Sequence, residues 1–270
     1  MVIEKAEGVN ESERYLQKLC DKTFLSLWSY PAVHKEKGKE CCDLLVIFEN
    51  HVIIFSDKDC QFPDSGQIKN DWNRWFKKAI KKSAEQAWGA ERWIKKYPNQ
   101  LFLDSLCEKP FPLEIPNLST AKFHLVVVAH GSSTRCQQEH GGSGSLMINS
   151  SMKGFSAHDA IKNGGIPFMV GDIDPSRTFV HILDDTSLEI VVDTLDTIAD
   201  FVSYLTDKEK FFRSGKAVIA SGEEDLLAYY LTHANDKNQS DFIIASQVDN
   251  RTLLIFEEGF WEQFVQSPER

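Results

Sequence analysis

No C-x-x-C pair occurs among the six cysteines, Cys20, Cys41, Cys42, Cys60, Cys107 and Cys136, which excludes the usual structural zinc spacings. No apolar run approaches the length of a membrane span, so no membrane partner is expected. The opening Met-Val-Ile-Glu-Lys-Ala-Glu lacks the apolar core of a signal peptide, and a cytoplasmic chain with reduced thiols is the expectation. No G-x-S-x-G elbow is present. Gly141-Gly142-Ser143-Gly144 is not followed by the Lys-Ser or Lys-Thr of a phosphate loop. There are no internal repeats. Broad basic charge is missing too: 30 Lys and Arg stand against 40 Asp and Glu, a net charge of −10. That excludes a bulk DNA-coating protein. A local basic patch survives at Lys77, Lys78, Lys81, Lys82, Arg92, Lys95 and Lys96, which reads either as a solvated helix face or as a guide for a nucleic-acid backbone.

What is present is ordinary core-forming material. Of the 270 residues, 42% are hydrophobic and 26% charged, enough for one large domain or two modest ones. Apolar residues recur at helical spacing over 11–28, with Ser12 and Glu13 in the first turn and Pro31 as a stop. Residues 34–40 read as a charged loop, and 59–71, with Pro63 and Gly66, as another. A long helix is predicted over 72–96, its apolar stripe running through Trp75, Phe76, Ala79, Ile80, Ala84, Ala87 and Ala90. Residues 98–118, with Pro98, Pro110, Pro112 and Pro116, read as an irregular connection. Phe123–Ala129 reads as a strand buried on both faces. His130–Ser151 is Gly- and Ser-rich and reads as a mobile loop. Beyond it the patterns predict a strand at 179–183 and a helix at 188–205 capped by Thr186 or Ser187. A helix opening at Ser221 and strands at 242–245 and 253–256 follow. The expected fold class is α/β with a mixed sheet. The expected domains are 1–135, a flexible 136–152, and an accessory α/β region over 153–270.

The chemistry concentrates between Asp43 and Lys58. Two apolar runs, Leu44–Phe48 and Val52–Phe55, flank Glu49-Asn50-His51, the pattern of a β-hairpin. Folding about Asn50 sets Asp43, at the start of one arm, beside Ser56, Asp57 and Lys58 at the end of the other. Carboxylates and a lysine at the mouth of a sheet suit metal-assisted attack on a phosphodiester.

Helix, an Asp opening one hairpin arm, an acid-x-Lys tripeptide closing the next, then helix and strand: this order resembles the core of the PD-(D/E)XK nuclease superfamily over about residues 11–130. The resemblance implies a restriction-endonuclease-like core and Mg²⁺ (or Mn²⁺) as cofactor. It implies nucleic acid, DNA first, as substrate, with defence against foreign DNA in a bacterium as one setting. The tripeptide departs from the pattern, because Ser56 stands where the second acid would fall. Asp57 is acidic, but neighbouring strand residues face opposite ways, so only a bulge would re-aim it. By the resemblance, Asp43 binds metal, with Asp57 or Glu85 completing the shell. Lys58 orients water, Gln86 holds a metal water or a phosphate oxygen, and Glu13 is an additional acid. Lys77, Lys78, Lys81 and Lys82 then contact nucleic acid.

Each residue also has a structural reading. Asp43 suits a strand entry, Lys58 an exposed strand end, Glu85 a solvated helix position, and Glu13 a first-turn acid favoured by the helix dipole. Ser56 and the net charge of −10 leave open a degenerate nuclease scaffold acting as an interaction subunit, either with a partner protein or as a homo-oligomer. A small-molecule hydrolase using His130, at the end of the buried strand, is a third reading.

Overall fold

The computed structural model describes residues 7–24, 27–233, 242, 253–256 and 259–266. The first helix, α1 (Glu11–Thr23), is capped by Asn10, whose side chain accepts the N–H of Glu13 at 2.9 Å. It stops at Thr23, earlier than the apolar pattern suggests. The chain then runs as an unexpected strand, β1 (Ser29–Glu36). Pro31 therefore sits inside a strand. It is tolerated because β1 is the edge of its sheet, where a missing N–H breaks no interior ladder. The expected loop at 34–40 shrinks to a turn at Lys37 and Gly38, with Gly38 at φ +67°.

The hairpin forms as expected from β2 (Lys39–Phe48) and β3 (His51–Lys58), paired from Leu44–Phe55 to Phe48–His51 with no shift of register. Glu49 turns the chain at φ +50°. A continuous helical rod follows: α2 (Ile68–Trp75), a π-turn over Phe76–Lys81, and α3 (Lys82–Lys96). It starts four residues before the predicted Trp72, inside the segment read as a loop. β4 (Lys122–Ala129) lies parallel to β3. β7 (Val180–Asp184) lies parallel to β4, giving a five-stranded mixed sheet of order β1-β2-β3-β4-β7.

Between β4 and β7 lie α4 (Ser133–His140), β5 (Met147–Lys153) and β6 (Met169–Asp172). The first two occupy much of the stretch expected to be a mobile loop. The predicted 188–205 helix is two helices, α5 (Asp185–Thr194) and α6 (Ile198–Arg213). Asp184, not Thr186 or Ser187, caps α5 by accepting both of their N–H groups, while the Ser187 hydroxyl accepts the N–H of Asp184. β8 (Ala217–Ala220), α7 (Glu223–Thr232), β9 (Leu253–Phe256) and α8 (Phe260–Gln266) complete the described elements. Gly222 is the N-cap of α7, so the Ser221 cap does not form. The strand expected at 242–245 lies outside the described residues except for Phe242, which is buried. A second, smaller sheet has the order β6-β5-β8-β9.

Alternation along the central strands serves two apolar layers. Leu45, Ile54 and Val127 face Trp72, Trp75, Ala84 and Trp88 of the helical rod. Val46, Ile53 and Val126 face Leu16 of α1, Leu188 of α5 and Phe201 of α6. The main sheet and its second layer thus draw on residues from both sides of the Gly/Ser stretch. Each fully buried side chain contributes roughly 1.5–3 kcal/mol of transfer free energy. The indole N–H groups add fixed points: that of Trp75 donates to the carbonyls of Cys60 and His130, tying down the chain just beyond the ends of β3 and β4. The hairpin arms therefore end in a region braced from the helical side.

Candidate functional site

Asp43 lies one step beyond the Leu44–Phe55 pair, on the face where Leu45 and Ile54 meet the helical rod. Alternation assigns Ser56 and Lys58 to that same face and Asp57 to the other. A cleft of about 270 Å³ opens there, lined by Glu40, Asp43, Ser56, Glu85 and Gln86, among others. The side chain of Asp43 reaches across the ladder, and its Oδ2 accepts the N–H of Asp57 at 2.6 Å.

The cleft is electrically strained. Burial lifts the Asp43 carboxyl to about 7. The charges of Glu13 and Asp57 push the same way, against the Asp57 N–H and the charge of Lys58. Glu40 is also lifted to about 7, by burial first and then by Asp43 and Glu13. Two neighbouring carboxyls held that high bind protons more readily than free ones, as desolvated like charges do. Lys58 is half-buried, and its side chain makes no hydrogen bond or ion pair among the described residues. Its charge nonetheless reaches Asp43.

The structure thus brings together Asp43, Glu85 and Gln86, the last two exposed at the rim of the cleft. Two expected acids are placed differently. No bulge re-aims Asp57. Its carboxylate is buried on the opposite face, with Oδ1 3.0 Å from Nε2 of His130, so it is not a ligand of the cleft. Glu13 is committed to the start of α1, where its carboxylate accepts the Val9 N–H at 2.7 Å and an amide hydrogen of Asn10. It acts on the cleft only through its charge. Of the lysines, Lys77, Lys78 and Lys82 are exposed along the π-turn and the start of α3, while Lys81 holds its ammonium 4.7 Å from the Phe155 ring.

Two features escaped the sequence reading. One is Glu40, treated as a loop residue and found in the cleft wall. The other is the pairing of His130 at the end of β4. Its Nδ1 lies 2.7 Å from Oδ1 of Asp185, and its Nε2 faces Asp57. Burial alone would lower its pKa, but the two carboxylates outweigh burial and raise it to about 10, so the ring is an imidazolium. Asp185, pulled down by His130, also accepts the Gly131 N–H and the Ser133 hydroxyl. His130 therefore serves as a structural cation and not as a free base. The other scattered aspartates have structural partners: Asp172 with Arg213, Asp174 with Ser176, and Asp184 in its cap.

Matched against family models, curated proteins and solved structures, the chain finds no counterpart in any of the three comparisons.

The cleft's carboxylates, hydroxyl and amide offer hard oxygens, which suit Mg²⁺ or Mn²⁺, although Cys41 and Cys42 line it too. Among the described residues no three His, Cys, Asp or Glu side chains converge as a ready metal cage. An ion there would rest on one or two carboxylates and draw its other ligands from water and a phosphate, which is how Mg²⁺ is ordinarily held. Glu40 Oε1, buried without a hydrogen-bond partner among the described residues, is an oxygen such an ion would satisfy.

Proposed function

We infer that the chain is a Mg²⁺- or Mn²⁺-dependent phosphodiesterase acting on nucleic acid, with DNA the substrate to test first. The observation that carries this reading is the shared cleft: Asp43, Ser56, Glu85 and Gln86 line one opening, and Lys58 at the adjacent strand end lies close enough to act on Asp43. The succession of helix, hairpin, helical rod and parallel strand supports a restriction-endonuclease-like core.

In this reading Asp43 would hold the ion, with Glu85 at the rim as a further oxygen donor. The ion, when bound, would neutralise phosphate charge and lower the pKa of water. Lys58 would orient the attacking water and offset charge developing on the phosphate. Gln86 would donate to a phosphate oxygen. The exposed ammonium groups of Lys77, Lys78 and Lys82 would steer the backbone without reading sequence. Purified protein with Mg²⁺ or Mn²⁺ is expected to nick or degrade plasmid, and Lys58→Ala to abolish cleavage while keeping the fold. Absence of cleavage of DNA and RNA in every form, with either metal, retires the reading.

Ser56 favours a second reading, a nuclease-like scaffold that has lost catalysis and serves as a subunit of a larger complex. Calorimetry separates the two: the enzyme takes up Mn²⁺, the scaffold does not.

A further inference from the structure

We propose that Glu40 supplies the second carboxylate of the cleft, filling the place that Ser56 leaves without an acid. This rests on the phosphodiesterase reading and deepens it.

The argument begins with strand geometry. Residues three apart on a regular strand face opposite sides, so Glu40 and Asp43 should not meet. The β1–β2 ladder shows why they do. It runs in step from Ser29–Val46 through Pro31–Leu44 to Val33–Cys42, and the next pair is His34–Glu40. One step on β1 is matched by two on β2, so Cys41 is the extra residue of a β-bulge. By alternation the insertion sets Glu40 on the side of Asp43 before the register is restored at Glu36–Lys39, and both line the same cleft, as do Cys41 and Cys42 between them.

Burial and partners then single out Glu40 from the other acids. Asp57 lies across the sheet against His130. Glu13 is occupied at the cap of α1. Glu85 is exposed at the rim. Glu40 alone of these has an oxygen in the cleft wall that is enclosed and unpartnered among the described residues: its Oε1 receives no hydrogen bond. A buried carboxylate oxygen without a donor, beside a second carboxylate, is costly unless a proton or a cation offsets the charge, and a cation can join the two. The occupant that fits two carboxylate oxygens in a cleft open to water is a small hard divalent cation that keeps part of its hydration. The bulge thus restores by backbone geometry what the tripeptide lost by substitution.

The test is calorimetric titration of the full chain with MnCl₂, for wild type, Glu40→Gln, Glu85→Gln and Asp43→Asn. Plasmid cleavage and thermal melting with and without Mn²⁺ run in parallel. Glu40→Gln is expected to weaken Mn²⁺ binding by roughly tenfold or more, on the scale of losses at a metal's supporting groups. It is also expected to abolish the Mn²⁺-induced rise in Tm and to weaken Mn²⁺ binding more than Glu85→Gln does. Mn²⁺ affinity unchanged in Glu40→Gln but lost in Glu85→Gln would overturn the assignment and leave the phosphodiesterase reading standing. Wild type that neither takes up Mn²⁺ nor cleaves would overturn both. Should Glu40→Gln not fold, Glu40→Ala carries the same comparison, and Glu40→Asp is expected to recover part of the binding.

Discussion

The backbone N–H of Asp57 donates to Oδ2 of Asp43 across 2.6 Å, so the acid of the cleft is held by a residue whose own side chain faces the other way. Removing the acceptor should be felt in the fold as well as in the site. Asp43→Ala leaves that N–H without its partner, at a cost of about 1–3 kcal/mol. Asp43→Asn keeps an acceptor oxygen and removes a buried charge. Urea denaturation is expected to show Asp43→Asn at least as stable as wild type and Asp43→Ala less stable than Asp43→Asn.

On the opposite face, His130 links Asp57 and Asp185. Replacing it with Gln leaves the Asp57 carboxylate buried without its counter-charge, and such losses run about 3–5 kcal/mol. The pH dependence has a definite sign. The folded-state pKa of about 10 lies above the ordinary value of 6.5. The contribution is therefore complete below pH 6.5 and disappears as pH rises towards 10. Guanidinium denaturation between pH 7 and 10 should show wild type losing stability faster than His130→Gln.

Acid should act through a different set of histidines. Burial, first among the causes, lowers His124 to about 3 and His158 to about 4, and puts His181 well below its usual value. These rings are neutral when folded and protonate when unfolded. Their contribution is present above pH 6.5 and is lost as pH falls towards the folded values. Asp43 and Glu40, lifted to about 7, oppose that slope. His181 isolates the effect, because neither of its ring nitrogens has a hydrogen-bond partner among the described residues. His181→Leu is expected to flatten the loss of stability between pH 6.5 and 4, with little or no destabilisation at pH 7. Equilibrium unfolding of the two proteins across that range provides the check.

The lysines of the helical rod predict a salt dependence. Lys77 and Lys78 are exposed, so changing both to Gln should leave Tm nearly unaltered. If they neutralise phosphates, the double change lowers the affinity for duplex DNA, and the slope of log K against log salt shrinks by about 1 for each phosphate left without its lysine. Fluorescence anisotropy at several salt concentrations measures that slope.

Much of this arrangement was legible in the sequence because it follows periodicity. The apolar arms around Asn50 specify the hairpin, the Trp75–Ala90 stripe specifies the rod, and Phe123–Ala129 specifies a doubly buried strand. β1 was not legible, because Pro31 signals a stop and nothing local reveals that it will occupy an edge. The Gly/Ser stretch hid α4 and β5, whose support is tertiary: Leu146 donates its N–H to Asp184, and Ser143 and Ser145 donate to Glu224. Asp43, Glu85 and Gln86 line one cleft, an association that only the resemblance suggested. Glu40 could not be foreseen, because alternation counts residues and a bulge changes the count.

The π-turn at Phe76–Lys81 makes the same kind of change on the helical side. It holds one residue more than an α-helix would need, and Glu85 and Gln86 lie downstream of it. Excising a single residue there would let the rod regularise with Glu85 and Gln86 still facing the hairpin, whereas a deletion in the regular helix between Lys82 and Ala84 would swing both side chains by about 100° around its axis. The opening between rod and hairpin is therefore far more sensitive to a shortened chain just after the π-turn than within it. A chain one residue shorter within the π-turn would keep its cleft, while one shorter between Lys82 and Ala84 would lose it even with every named acid and lysine retained.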